Sequence, residues 1–199
     1  MQSRHPLTVG LTGGMGCGKT TTARLFERRG FHRLDSDAIV RDRVLKAPDV
    51  LEALQARFGK SVLTLEGQAD RSALAARIFA NDAERRWMEE LTHPRVFAVW
   101  REAFAARPEG HWVVEVPLLF EQELENWFDF TVCVACSPAE QATRLEQRGL
   151  PRGLVGQRIS KQLPLAQKIE LSDFVLWNEG SLEFLQAEVD RLTDALVAA

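Results

Sequence analysis

Leu7-Thr8-Val9-Gly10-Leu11-Thr12-Gly13-Gly14-Met15-Gly16-Cys17-Gly18-Lys19-Thr20-Thr21 is the stretch that decides the fold. Its apolar first part reads as a buried strand, and Gly13 to Thr20 fits the phosphate-loop pattern G-x-x-x-x-G-K-[ST] at every fixed position. Thr22-Ala23-Arg24-Leu25-Phe26 continues into a helix, so the pattern stands between strand and helix, as it must. A loop that wraps a phosphate turns its backbone N–H groups inward, which calls for positive φ, and Gly13, Gly14, Gly16 and Gly18 tolerate it. Lys19 reaches toward β and γ phosphates, the Thr20 hydroxyl is a ligand for Mg²⁺, and the helix N-terminus adds partial positive charge. Gly14, Gly16, Cys17, Gly18, Lys19, Thr20 and Thr21 form the expected nucleotide-binding set.

Composition agrees with a soluble enzyme. The chain has 199 residues, 45% of them hydrophobic, enough for one good core; the simplest organisation is a single α/β domain with insertions. A net charge of −3 without a basic run argues against nucleic acid as the main partner. No apolar stretch approaches the ~20 residues that span a bilayer, so no membrane partner is expected and the setting reads as cytoplasmic. Cys17, Cys133 and Cys136 offer no disulfide framework. Cys133 and Cys136 do form a C-x-x-C, but in a strand such residues face opposite sides, which favours buried structural thiols over a metal site.

Outward from the loop, the first helix runs from about Lys19 to Arg29 and stops at Gly30. Phe31-His32-Arg33-Leu34 is a second strand that ends in Asp35-Ser36-Asp37. Carboxylates at the C-terminal end of a strand, in the same unit as a phosphate loop, point into the crevice where open α/β sheets bind ligands. Asp35 is the candidate general base; Asp37 either caps the next helix or helps hold substrate or metal. From Ile39 to about Arg107 the apolar spacing is helical and has no evident strand. It reads as an insertion of about residues 39–107 that carries the acceptor-binding surface, with Pro94 starting a new helix. His93, just before it, is a ligand candidate set against a capping or buried structural histidine.

Trp112-Val113-Val114-Glu115-Val116 is a central parallel strand, and the buried carboxylate of Glu115 needs a partner, water or Mg²⁺. Leu118 and Phe120 in the following loop are available to an acceptor pocket. Phe130 to Cys136 is the fourth strand. Arg144 and Arg148, four apart, share one face of the next helix. With Arg158 and Lys161 on a second helix, they suggest a lid over about residues 139–167 whose cations meet the charge of phosphoryl transfer. Asp173 to Trp177 is the last strand, Asn178-Glu179-Gly180 lines an adenine pocket, and an amphipathic helix with Leu182, Leu185, Val189, Leu192 and Leu196 closes the chain. The core is then about 1–38, 108–138 and 168–199, a parallel sheet of phosphate-loop (P-loop) kinase type with helical insertion and lid. A GTP-binding switch is disfavoured by the lack of an Asn-Lys-x-Asp pattern. A kinase for a different small molecule and a phosphate-loop regulator without transfer chemistry both share the loop and stay open at this point.

These residues resemble the dephospho-CoA kinase family over nearly the whole chain. The matching stretches are Leu11 to Thr21, Asp35-Ser36-Asp37 with Ile39 and Arg41, His93-Pro94, Val116-Pro117-Leu118-Leu119-Phe120-Glu121, Arg158-Ile159 with Gln162, and Ser172-Asp173 followed by Asn178-Glu179-Gly180. The resemblance implies transfer of phosphate from ATP to the ribose 3′-hydroxyl of dephospho-CoA, the last step of coenzyme A synthesis, with Mg²⁺ as cofactor and a CoA-binding helical region. It implies Lys19, Asp35 and Arg144 as catalytic residues, Arg148 and Asn178 beside the loop on ATP, and Asp37, His93, Leu118, Phe120 and Glu121 on the acceptor. Cys17 and Thr20 stand where serine is common in the family, and Gly149-Leu150-Pro151 replaces an acidic or amide residue after Arg148. A thiol at Cys17, near a helix N-terminus, has the setting of an oxidisable group.

Overall fold

The computed structural model describes residues 6–149 and 162–198. Five strands, β1 (Thr8–Gly13), β2 (His32–Asp35), β3 (Trp112–Glu115), β4 (Phe130–Ala135) and β5 (Phe174–Trp177), form one sheet in the order β2-β3-β1-β4-β5, with every pair parallel. Each lies within a residue or two of its expected place. Since β1 leads toward β2 on one side and β4 leads to β5 on the other, the crevice at the C-terminal ends of β1 and β4 is the ligand-binding position of such a sheet. The phosphate loop opens there.

Helix α1 (Lys19–Arg28) buries Thr22, Ala23, Leu25 and Phe26, one face at helical spacing. It ends in a Schellman motif: Gly30, at φ +89°, donates to Glu27 O and Phe31 donates to Phe26 O. The C-terminal helix Leu182–Ala198, numbered α8 below, buries Leu185, Val189, Leu192 and Leu196. With α1 it covers Val9, Leu11, Val113, Val132 and Val134 of the sheet in one apolar cluster. Between β4 and β5 lie α6 (Pro138–Gln147), capped by the Ser137 hydroxyl, and α7 (Leu165–Leu171), which packs on β1 and β4. Arg158 and Lys161, the other cations of the expected lid, lie outside the described residues.

Residues 36–106 form a compact unit distinct from the sheet unit of residues 1–35 and 107–199. It contains α2 (Ser36–Asp42), α3 (Pro48–Phe58), α4 (Arg71–Ala80) and α5 (Asp82–Ala106). Asp70 caps α4 by accepting from the Ser72 and Ala73 amides. The structure corrects the expected helix start at Pro94, because α5 runs through it without a break. Proline removes one N–H and crowds the carbonyl four residues back. The stripe Met88, Thr92, Val96 and Trp100, buried on both sides of it, holds the helix together nonetheless.

Candidate functional site

The phosphate loop is shaped by close approach as much as by dihedral freedom. Gly13, Gly16 and Gly18 have φ of +137°, +84° and +103°. Gly14 does not adopt positive φ, contrary to expectation; it is glycine because a Cβ would lie 2.8 Å from Cys17 Sγ and 3.1 Å from Gln141 Nε2. At Gly13 a Cβ would lie 2.2 Å from the Val134 carbonyl of the neighbouring strand, so only glycine turns the chain out of β1 there. Lys19, the first residue of α1, donates from Nζ to the carbonyls of Gly13 (2.9 Å) and Gly14 (3.0 Å), which fixes the ammonium inside the loop. Thr20 and Thr21 are exposed at the start of the helix.

Behind Thr20 stands a line of charge that crosses three elements. The parallel register sets Asp35 beside Glu115, and Glu115 beside Leu11, at the C-terminal edge of the sheet. Thr20 Oγ1 donates to Glu115 Oε2 at 2.9 Å. Arg33 approaches Glu115 Oε1 with both Nε and Nη2 at 2.7 Å, and its Nη2 is 3.6 Å from Asp35 Oδ2. Glu115 is thus a buried carboxylate with a cation and a hydroxyl for partners, as burial requires. Arg33 carried no expectation; its place two residues before Asp35, on the same face of the strand, is the signal that points to it.

On the other flank, α6 leans against the loop. Gln141 donates to Met15 O at 2.6 Å, and Arg144 donates to Asn178 O at 2.8 Å while its Nε lies 3.2 Å from Glu140 Oε2. The Arg144 Nη1 group is buried and has no hydrogen-bond partner among the described residues, a donor suited to an acceptor such as a nucleotide. Asn178 serves as a strut: its buried amide donates to Cys17 O at 2.9 Å, in room that Gly18 leaves by lacking a side chain. Arg148 is exposed at the end of α6. The Cys17 side chain is enclosed, with its Sγ 3.4 Å from Cys136 Sγ.

The expected acceptor residues lie in both units. Leu118 and Phe120 are half-buried on the loop after β3, and Glu121 turns inward, its Oε1 2.8 Å from both the Lys168 ammonium and the Leu163 amide. In the insertion, Asp37 is exposed in the first turn of α2. His93 lies inside α5, half-buried and 5.7 Å from the Phe97 ring, so it caps no helix; burial lowers its pKa, against a smaller opposing effect of Glu89. Among the described residues, no group of three His, Cys, Asp or Glu side chains is arranged to hold a metal, and no helix is long and apolar enough to cross a membrane.

Comparison with known proteins agrees with the fold. The family model for dephospho-CoA kinase matches residues 7–183. A dephospho-CoA kinase of Thermosynechococcus vestitus is 39% identical over 187 residues, 93% of this chain and 92% of that protein. A crystal structure of a Thermus thermophilus protein, 32% identical, superposes with a TM-score of 0.85 over 96% of this chain and 98% of its own. The dephospho-CoA kinase structure from Campylobacter jejuni, 19% identical, has a TM-score of 0.69 over 96% of this chain and 97% of its own, a likeness of fold.

Proposed function

The chain belongs to the dephospho-CoA kinase family, and from that membership we propose how its own residues carry the transfer. The reaction moves the γ-phosphate of ATP to the ribose 3′-hydroxyl of dephospho-CoA, the final step of coenzyme A synthesis. The observation that carries the assignment of roles is the phosphate loop, with Lys19 Nζ held 2.9 Å from Gly13 O and Thr20 Oγ1 2.9 Å from Glu115 Oε2. In this reading the loop amides from Gly14 to Thr21 and the Lys19 ammonium bind the β and γ phosphates, and positioning with electrostatic stabilisation does most of the catalytic work.

Mg²⁺ fits the donor set. The ion prefers hard oxygens and keeps several waters, needing only one or two protein oxygens beside the phosphates. Thr20 Oγ1 spends its proton on Glu115 and keeps its lone pairs for a cation. Bound there, the ion supplies neutralisation of phosphate charge. Asp35, at the end of β2, accepts or orients the proton of the 3′-hydroxyl. Arg144 and Arg148 stabilise the charge of the transferring group, and Asn178 holds Arg144 beside the loop. For the acceptor we assign Asp37 and His93 from the insertion, which binds the CoA portion, and Leu118, Phe120 and Glu121 from the loop after β3. We assign the lid to about residues 139–167, of which 150–161 lie outside the described residues; nucleic acid has no part, and the setting is the cytoplasm.

ADP release from ATP and Mg²⁺ tests the reading, with dephospho-CoA, AMP, shikimate or no acceptor, for the wild type and Lys19→Ala. Turnover with dephospho-CoA alone, lost in the variant, is the expected result. Turnover that persists in Lys19→Ala refutes the role of the lysine.

A further inference from the structure

We propose that Arg33 is a positioning residue for the Thr20 hydroxyl, acting through Glu115. The inference rests on the reading that Thr20 holds Mg²⁺. Glu115 divides its two oxygens: Oε1 takes both Nε and Nη2 of Arg33 at 2.7 Å, while Oε2 faces Thr20 Oγ1 at 2.9 Å. A carboxylate paired with a guanidinium has no proton to give, so the Thr20 hydroxyl is the donor in that contact. Its one proton is directed at Glu115, and its lone pairs point elsewhere. A hydroxyl that ligates a cation needs this orientation, and outer partners commonly set the direction of metal ligands.

Arg33 is what holds Glu115 in place. Glu115 is only 4% exposed, at the sheet edge, and without the guanidinium it becomes a buried charge with its main compensation gone. The planar guanidinium holds Oε1 between Nε and Nη2, a two-point grip on one oxygen that a lysine ammonium reproduces only in charge. The same guanidinium lies 3.6 Å from Asp35 Oδ2, so one side chain spans the metal-side and acceptor-side carboxylates.

The test is titration of the full-length protein with a fluorescent N-methylanthraniloyl ATP, with Mg²⁺ and with EDTA. In the wild type Mg²⁺ strengthens binding, and Thr20→Ala removes that gain. Arg33→Gln is expected to cut the Mg²⁺-dependent gain by about tenfold or more, with affinity in EDTA little changed, and Arg33→Lys to recover part of it. Should Arg33→Gln fail to fold, Arg33→Met combined with Glu115→Gln leaves no buried charge unpaired and is expected to show the same loss. A wild type indifferent to Mg²⁺, or a Thr20→Ala variant that keeps the gain, overturns the metal reading and this inference together. A full gain in the Arg33 variants, with wild type and Thr20→Ala as expected, overturns the inference alone.

Discussion

The side chain of Lys168 is fully enclosed, with its ammonium 2.8 Å from Glu121 Oε1 and 2.6 Å from the Pro117 carbonyl. Glu121 Oε1 also accepts from the Leu163 amide, so one ion pair ties the loop after β3 to the segment leading into α7. Leu165 of the same helix reaches the surroundings of Gly14 in the phosphate loop. The loop that carries Leu118 and Phe120 is thereby referenced to the loop that carries Lys19.

Removal of the cation leaves the largely enclosed Glu121 carboxylate without its counter-charge, with the Leu163 amide still donating to it. Lys168→Met is expected to destabilise the fold by about 3 to 5 kcal/mol in urea denaturation, and the double variant Lys168→Met/Glu121→Gln to recover much of that loss. A loss below about 1 kcal/mol in the single variant would show that the pair contributes little to stability.

Asp35 and Asp37 separate the two expected carboxylate roles. Asp35 ends β2 beside Arg33, whereas Asp37 is exposed in the first turn of α2. Asp35→Asn is expected to lower kcat by ~10² to 10⁴ with KM for ATP nearly constant, and Asp37→Asn to act mainly on KM for dephospho-CoA. The reverse pattern in steady-state kinetics transfers the role of base to Asp37.

Much of this arrangement is legible in the sequence, for physical reasons that also mark where legibility ends. The phosphate loop is local, with glycines, lysine and threonine adjacent in the chain, and apolar runs such as Trp112 to Val116 signal buried parallel strands directly. The partners of Arg33 and Lys168 are not legible, although the place of Arg33 two residues before Asp35 puts it on the same strand face. Those partners lie 82 and 51 residues away, and a lone cation looks the same in sequence whether it is solvated or buried. Pro94 misleads because a local rule for helix starts is overridden by a stripe of tertiary contacts through Met88, Thr92, Val96 and Trp100. Gly14 misleads in a different way: its small size serves packing against Cys17 and Gln141, which no dihedral rule contains.

The cysteines make a pH prediction. Burial pushes the Cys133 thiol up to about 11, and burial together with the Cys17 contact pushes Cys136 up to about 12, against 9.0 ordinarily. The folded state keeps both protonated after the unfolded chain has lost those protons, so their contribution is complete below pH 9.0 and declines as pH rises toward about 11 and 12. Urea midpoints measured from pH 8 to 11 are expected to fall less steeply in Cys133→Ala than in the wild type. Native protein at pH 8 is expected to react slowly with a disulfide reagent, since the thiolate is the attacking form. Prompt modification of Cys133 or Cys136 would contradict their burial.

His93 gives the opposite sign. Burial within α5 lowers its pKa below the ordinary 6.5, with Glu89 opposing in part. The folded state therefore prefers the neutral ring; its stabilisation is present above pH 6.5 and is lost as pH falls through the lowered value, where the unfolded chain binds the proton first. His93→Gln cannot titrate, so its urea stability is expected to fall less between pH 7.5 and pH 5 than that of the wild type. The same variant addresses the acceptor role. A raised KM for dephospho-CoA at pH 7.5, with KM for ATP unchanged, is expected if the imidazole touches the acceptor. An unchanged KM with the altered pH profile assigns His93 to the packing of α5 beside Phe97 and removes it from the acceptor set.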